Sequence, residues 1–149
     1  MRNIKILAII PYEGLRDNML KAAKSYENVS MQVVVGTMEL GLKYAKEAEK
    51  ADYDIIISRG GTAETIEEYI SLPVVHIPVS VFDYVQIIEK AGKTDKPTAI
   101  IGYANVTEDA YHIKAVAKSN IDIFTIMDPK EIIPLLEKLK SDGYQLIVG

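Results

Sequence analysis

The chain has 149 residues, 48% of them apolar and 26% charged, a composition typical of a folded globular domain rather than a disordered or fibrous one. Lys and Arg number 17 against 21 Asp and Glu, and the formal net charge of -4 disfavours direct nucleic-acid contact by this segment. The absence of Cys excludes disulfides, thiolate nucleophiles and iron–sulfur clusters. No membrane-length apolar run and no signal-peptide pattern occurs, so we expect a cytoplasmic chain without membrane contact.

Short runs rich in Ile and Val alternate along the chain with stretches of helical periodicity. Such alternation is typical of βα units, and continuously apolar strands indicate parallel sheets covered on both faces. We therefore predict an α/β fold with parallel sheets. The predicted strands are Ile4–Ile10, Met31–Val35, Tyr53–Ser58, Val74–Ile77, Thr98–Ile101, Ile121–Ile126 and Tyr144–Val148.

The helical stretches carry an apolar stripe with a period of about 3.6 residues. The first such stripe extends from Leu15 to Tyr26, and Val81–Lys90 is apolar around most of its circumference, which predicts a helix buried on several sides. Gly92 and Gly143 are predicted to end two helices with a positive φ. Because an interior Pro removes a hydrogen bond, the last helix is expected to begin only at Pro134.

Two lobes are predicted from the order of these elements. Residues 1–80 form a first α/β lobe, residues 81–96 a connecting helix and linker, and residues 97–149 a second α/β lobe. The last strand is followed by Gly149 without the helix that normally completes a βα unit, so we expect the second lobe to be incomplete.

The loops after the strands are the expected binding region, because open parallel sheets bind ligands at the carboxyl ends of their strands. The most informative loop is Ser58-Arg59-Gly60-Gly61-Thr62. Its glycines let the backbone approach a ligand, its helix N-terminus attracts an anion, and Arg59 offers paired donors for a carboxylate or phosphate. Thr62 is a candidate cap of the same helix. The alternative is a tight turn with an arginine that faces solvent.

Other strand-end loops contribute further candidate ligand-binding residues. Ser80 either caps the next helix or faces the ligand, and Asn105 or Thr107 is a candidate N-cap. The candidate ligand contacts are the five residues of the glycine loop and, outside it, Tyr12, Thr37, Ser80, Tyr103 and Asn105.

Metal sites and known catalytic motifs are not indicated. His76 is expected to be a partly buried, satisfied residue and His112 an exposed one, and neither belongs to a ligand pair. No G-x-S-x-G, Walker A or G-x-G-x-x-G motif follows a strand. We therefore expect no catalytic residue, no metal and no cofactor.

Residues 54–63, 72–80 and Phe82-Asp83 resemble the signature of the N-terminal sensor domain of propionate-catabolism activators. These are sigma-54-dependent transcriptional regulators of the NtrC class. The resemblance extends over nearly the whole chain. It implies a two-lobed sensor of flavodoxin or periplasmic-binding-protein type that binds a small carboxylate, with 2-methylcitrate as the leading ligand.

The resemblance also implies partners, namely a downstream AAA+ ATPase module and a helix-turn-helix module, and it leaves a homo-oligomer open. The first hypothesis is a non-enzymatic sensor that closes its lobes on a small anionic metabolite. The alternative is a small α/β enzyme that acts on a phosphorylated or carboxylated metabolite through the same glycine loop. A third reading is a domain that works by protein contact alone.

Overall fold

The computed structural model describes residues 2–117 and 120–149. The chain divides into two compact units, Met1–Ile77 and Pro78–Gly149. The first unit contains β1 (Ile4–Ile10), α1 (Arg16–Ala23), β2 (Val29–Val35), α2 (Met38–Lys50), β3 (Ile55–Ser58), α3 (Gly60–Tyr69) and β4 (Val74–His76). The second contains α4 (Val81–Gly92), β5 (Thr98–Gly102), α5 (Ala104–Ala117), β6 (Ile121–Thr125), α6 (Ile132–Ser141) and β7 (Leu146–Val148).

The sheet of the first unit has the order β2-β1-β3-β4, and all its pairs are parallel. Successive residues of a strand point to opposite faces. Leu7 and Ile9 of β1 accordingly join the core under α2 and α3, whereas Ala8 and Ile10 join the core under α1. Because β1 is apolar on both faces, it forms the buried centre of this layered unit.

The second unit has a three-stranded parallel sheet with the order β6-β5-β7. Ile100 packs with residues of α4 and α5 on one face, and Ile101 packs with Leu139 of α6 on the other. Helices therefore cover both faces of each sheet, and the predicted α/β fold class with parallel sheets is confirmed.

All seven predicted strands are present, with ends that differ by no more than two residues. The chain contains short 3-10 turns before α1, at Glu13–Leu15, and before α6, at Pro129–Glu131. Among the described residues, no helix combines the length and apolar composition that a bilayer crossing requires.

Three helix-end predictions were wrong. Helix α1 ends at Ala23 and leaves Tyr26 exposed beyond it. Gly92 is the last residue of α4 rather than a left-handed cap, and the positive φ of +49° falls on Asp95 instead. Helix α6 begins at Ile132, because Pro134 stands in its first turn, where a missing N–H costs no intrahelical hydrogen bond. Gly143, with φ +90°, follows the prediction.

Helix α4 is less buried than its composition predicted. Tyr84 and Ala91 are buried in the core of the second unit, whereas Val81, Phe82 and Val85 are exposed, with Phe82 at 78%. One face of α4, with Tyr84, Ile88 and Ala91, packs into this core, and Val81, Phe82 and Val85 are not among the residues of that core. In the structure, α4 belongs with the second unit.

A pH-dependent contact links β6 to the segment before β7. The Tyr144 hydroxyl donates to Asp122 Oδ2 at 2.5 Å, and Lys114 Nζ donates to Oδ1 at 3.3 Å. The hydrogen bond from Tyr144, and secondarily Lys114, lowers the pKa of Asp122 despite its partial burial. The same hydrogen bond raises the pKa of Tyr144, because Asp122 accepts the proton of the neutral phenol.

We expect Tyr144→Phe to remove a stabilisation that exists only in a window of pH. Because the pKa of Asp122 is lowered in the folded protein, its carboxylate stabilises the fold at pH values above its unfolded pKa of about 4. This stabilisation is lost as the pH falls through the folded pKa. Because the pKa of Tyr144 is raised in the folded protein, its neutral phenol stabilises the fold at pH values below its unfolded pKa of about 10. This stabilisation is lost as the pH rises through the folded pKa. The difference in free energy of unfolding between wild type and Tyr144→Phe should therefore be largest near neutral pH.

Urea unfolding from pH 3 to pH 11 measures this difference, with Tyr53→Phe as the control. The Tyr53 hydroxyl donates to the neutral amide oxygen of Gln32 rather than to a carboxylate, so its removal should give a difference that stays constant between about pH 3 and pH 8. A pH-independent difference for Tyr144→Phe as well would contradict the coupling to Asp122.

Candidate functional site

The strand order of the first unit places a topological switch point between β1 and β3. The chain leaves β1 toward β2 on one side and later crosses back to β3 on the other. The loops after β1 and β3 therefore diverge, and such a switch point is where open parallel sheets bind ligands. The residues that follow the two strands here are Pro11 and Tyr12 after β1 and Arg59 and Gly60 after β3.

The loop after β3 turns abruptly into α3. Arg59 has an extended backbone with φ -145° and ψ 163°, and Gly60 follows at φ +58°. A side chain at position 60 would meet no atom within 4 Å, so the requirement for glycine there is conformational rather than steric. The first turn of α3, which begins at Gly60, consequently opens at the switch point.

Arg59 is half-buried and carries no side-chain cap hydrogen bond to its helix. In residues 2–117 and 120–149 its guanidinium is in no ion pair, whereas Arg2 pairs with Asp54 and Arg16 with Glu13. Of the three described arginines, Arg59 is therefore the one whose positive charge is not neutralised by a carboxylate.

Ser58 and Thr62, which flank this loop, turn their side chains inward. Ser58 is fully buried, and its hydroxyl donates to the carbonyl of Ile9 at 2.8 Å, which ties β3 to β1. Thr62 is 7% exposed, and its hydroxyl oxygen accepts the backbone N–H of Met38 at 3.0 Å. The prediction that Thr62 caps its own helix was wrong, because the hydroxyl serves the first residue of α2 instead.

Tyr12 and Thr37 stand at the carboxyl ends of β1 and β2. Tyr12 is half exposed, and its ring lies 3.5 Å from the place where a Cβ on Gly14 would stand. Thr37 is the exposed N-cap of α2 and forms no side-chain cap hydrogen bond. Both predicted residues thus lie at the same edge of the sheet as Arg59, and Tyr12 follows β1, the strand adjacent to β3.

The other candidates belong to the second unit. Ser80 is the N-cap of α4, and its hydroxyl accepts the N–H of Asp83 at 3.2 Å while the Asp83 carboxylate accepts the N–H of Ser80 at 3.1 Å. This reciprocal capping box gives Ser80 a structural role. Of the two predicted roles for Ser80, the structure places it in the capping one.

Removal of the Ser80 hydroxyl tests this capping role. Ser80→Ala should lower the free energy of unfolding by about 1 kcal/mol, because the Asp83 N–H keeps the Ser80 carbonyl as an acceptor but loses the hydroxyl oxygen. Ser80→Asn, which keeps an acceptor at the N-cap, should lose much less. Urea unfolding followed by circular dichroism measures both variants. Equal stability of wild type and Ser80→Ala would contradict the capping role.

Tyr103 and Asn105 lie at the carboxyl end of β5. Helix α5 begins at Ala104, so the prediction of an N-cap at Asn105 or Thr107 was wrong. The Tyr103 carbonyl instead accepts the N–H groups of Val106 and Thr107, each at 2.9 Å. The Thr107 hydroxyl is buried and lies 2.7 Å from that of Thr125.

The histidines follow the prediction. His76 is partly buried, and its Nε2 lies 3.1 Å from a carboxylate oxygen of Glu67, whereas His112 is exposed. Within the described part of the chain, no group of three His, Asp or Glu side chains has the arrangement of a metal site.

One site feature escaped prediction: the close contact between the starts of α2 and α3. A Cβ on Gly41 would stand 2.5 Å from Cγ2 of Thr62. Met38, the first residue of α2, has a positive φ of +47°. The signal in the sequence is a glycine inside a helical stretch, which often marks close packing of backbones.

Comparison with known proteins places the chain in a family. The model of the propionate catabolism activator family matches residues 25–149. A crystal structure of an NtrC family transcriptional regulator from Clostridium acetobutylicum is similar with a TM-score of 0.81 and 26% identity over 97% of this chain and 76% of that chain.

Weaker structural similarities reach ornithine transcarbamoylases. The enzyme from Giardia lamblia has a TM-score of 0.41 at 18% identity, and that from Campylobacter jejuni has 0.43 at 13%. Each similarity covers 99% of this chain and 57% of the enzyme, and TM-scores this low do not support a functional relationship. A search of the curated proteins finds no match. The family model, which spans most of the sequence, and the regulator structure agree, and the chain belongs to the N-terminal domain family of the propionate catabolism activators.

Proposed function

We propose that this chain is the effector-sensing domain of a transcriptional activator and binds a small di- or tricarboxylate at the loop Arg59–Gly61. The leading candidate ligand is 2-methylcitrate. The observation that carries the proposal is Arg59, which follows β3 at the switch point between β1 and β3 and whose guanidinium is in no ion pair with the described residues.

The chemistry of this loop suits a carboxylate. A guanidinium presents two parallel N–H donors that match the two oxygens of a carboxylate. The adjacent start of α3 adds the partial positive charge of a helix N-terminus. The glycines at positions 60 and 61 keep side chains out of the approach to the backbone.

The surrounding residues are assigned different tasks in this proposal. Tyr12 and Thr37, which are exposed at the same edge of the sheet, are proposed to contact the ligand. The side chain of Ser58 is engaged with the Ile9 carbonyl, so we propose that it supports the loop and leaves ligand contact to its neighbours. For Ser80, Tyr103 and Asn105 of the second unit, ligand contact stays a prediction.

Membership of the activator family supports the rest of the proposal. We propose that ligand binding is passed to a downstream AAA+ ATPase module that works with a helix-turn-helix module in the cytoplasm. In this scheme the present segment contacts neither DNA nor membrane, needs no cofactor and is not an enzyme. Self-association into a homo-oligomer is a further proposal.

A thermal-shift panel tests the proposed function. The ligands are citrate, 2-methylcitrate, succinate and a sugar phosphate, with sodium sulfate at equal ionic strength as the control for general anion effects. A ligand at 100 times its Kd should stabilise the domain by about 2.7 kcal/mol, which raises Tm by roughly 5–10 °C. A Tm shift with no carboxylate beyond that of sulfate would refute the proposal, and a shift with the sugar phosphate alone would favour the enzyme alternative.

A further inference from the structure

Thr62 links the starts of two helices that follow different strands. Its hydroxyl oxygen accepts the backbone N–H of Met38, the first residue of α2, at 3.0 Å. The N–H groups of a helix's first turn have no carbonyl acceptor within the helix, and side chains normally satisfy them from the N-cap position. The N-cap of α2, Thr37, makes no such bond. A residue of α3 thus performs the capping task for α2.

The methyl group of Thr62 brings the same two helices close together. Cγ2 occupies the space beside Gly41, 2.5 Å from where a Cβ would stand. The hydroxyl also lies 3.9 Å from the Met38 sulfur, which it reaches as a donor. Both branches of this buried side chain are therefore in contact with α2, one by hydrogen bonding and one by packing.

The backbone of Met38 has an unusual conformation, which the hydrogen bond to Thr62 helps to maintain. A residue with a side chain rarely adopts a φ of +47°, and such a conformation persists only where the surroundings enforce it. The bond to Thr62 fixes the N–H of that residue. Loss of the bond would allow Met38 to leave this conformation, and the distance between the starts of α2 and α3 would then change.

Arg59, Gly60 and Gly61 immediately precede Thr62, and Gly60 to Thr62 share the first turn of α3. A displacement of Thr62 is therefore transmitted to the loop through the backbone. We propose that Thr62 is a positioning residue for the carboxylate site: it does not contact the ligand, but anchors the Arg59–Gly61 loop to α2. This inference rests on the proposed function, since it concerns the same site.

The test is the Kd of a tricarboxylate, citrate or 2-methylcitrate, measured by calorimetry at a temperature where circular dichroism shows each variant to be folded. Thr62→Val keeps the shape and removes the hydroxyl, and should raise Kd at least tenfold. Thr62→Ser keeps the hydroxyl and should remain within threefold of wild type. The matched control is Thr98→Val, which should leave Kd unchanged: Thr98 is also buried, but its hydroxyl donates to the Lys96 carbonyl at the start of β5 and bonds neither to α2 nor to the Arg59–Gly61 loop.

A merely structural role for Thr62 would lower Tm and leave the Kd of the folded variants unchanged, and that result would overturn the inference. If Thr62→Val does not fold, the pair Thr62→Ser and Thr62→Ala decides, since these differ by the hydroxyl oxygen alone; equal Kd values would again overturn it. A wild-type protein that binds neither tricarboxylate would refute the proposed function and the inference with it. Tight wild-type binding with equal binding by all Thr62 variants would refute the inference alone.

Discussion

Arg59→Ala is expected to weaken tricarboxylate binding by at least about 100-fold. Each hydrogen bond to a charged group contributes about 1.5–3 kcal/mol, and a two-point contact therefore about 3 kcal/mol or more. The Tm of the unliganded protein should stay close to that of wild type, because the Arg59 guanidinium is in no ion pair with the described residues. Calorimetry gives the Kd, and differential scanning fluorimetry gives the unliganded Tm.

Two further variants sharpen this prediction. Arg2→Ala removes the same charge from the same unit, but Arg2 pairs with Asp54, which lies before β3 at the opposite end of the strands, so binding should change little. Arg59→Lys keeps the charge without the planar pair of donors and should fall between wild type and alanine. A large loss of unliganded stability in Arg59→Ala would instead identify Arg59 as a structural residue.

Gly41→Ala should destabilise the first unit by about 1–3 kcal/mol, the cost typical of an overpacked core. In most helix interiors this substitution stabilises by up to about 1 kcal/mol, because alanine has the higher helix propensity. Here the new Cβ would stand 2.5 Å from Cγ2 of Thr62, a buried and β-branched side chain with little freedom to move. The packing cost should therefore reverse the sign of the effect.

Gly92→Ala is the control for Gly41→Ala. Gly92 also lies in a helix, at the end of α4, but a Cβ there would meet no atom within 4 Å. This variant should be as stable as wild type or more stable by up to about 1 kcal/mol. Urea unfolding compares the two. A stabilised Gly41→Ala would show that α2 and α3 can separate without cost, which would also weaken the positioning role of Thr62.

The strands and their order along the chain were predictable because their apolar runs are short, continuous and rich in Ile and Val. The predicted strand Ile4–Ile10 has the same ends as β1. Its apolar side chains on both faces are typical of a strand that is covered by helices on both sides. The glycine loop was equally visible, because two adjacent glycines fall between a predicted strand and a helix. In the structure the first of them, Gly60, has a positive φ of +58°. Local sequence therefore identified the edge of the sheet that carries the candidate site.

Contacts between elements could not be predicted in the same way. The sequence around Thr62 suggests a cap for its own helix, and only the packing of α3 on α2 directs its hydroxyl to Met38. The apolar circumference of α4 suggested burial on several sides, but one face of this helix packs into the core of the second unit and Phe82 is exposed. Helix ends such as Gly92 were misjudged because Asp95, farther along, adopts the left-handed conformation.

The carboxylate ligand is proposed to bind at the loop Arg59–Gly61, and amide chemical shifts test this claim most directly. In a titration of ¹⁵N-labelled protein with citrate or 2-methylcitrate, the amide signals of Gly60 and Gly61 should move in a saturable manner, with the same Kd as calorimetry gives. In Arg59→Ala, much higher ligand concentrations should be needed for the same shifts. If calorimetry detects binding while these two signals stay in place at saturation, the ligand binds elsewhere and the account of the site is wrong.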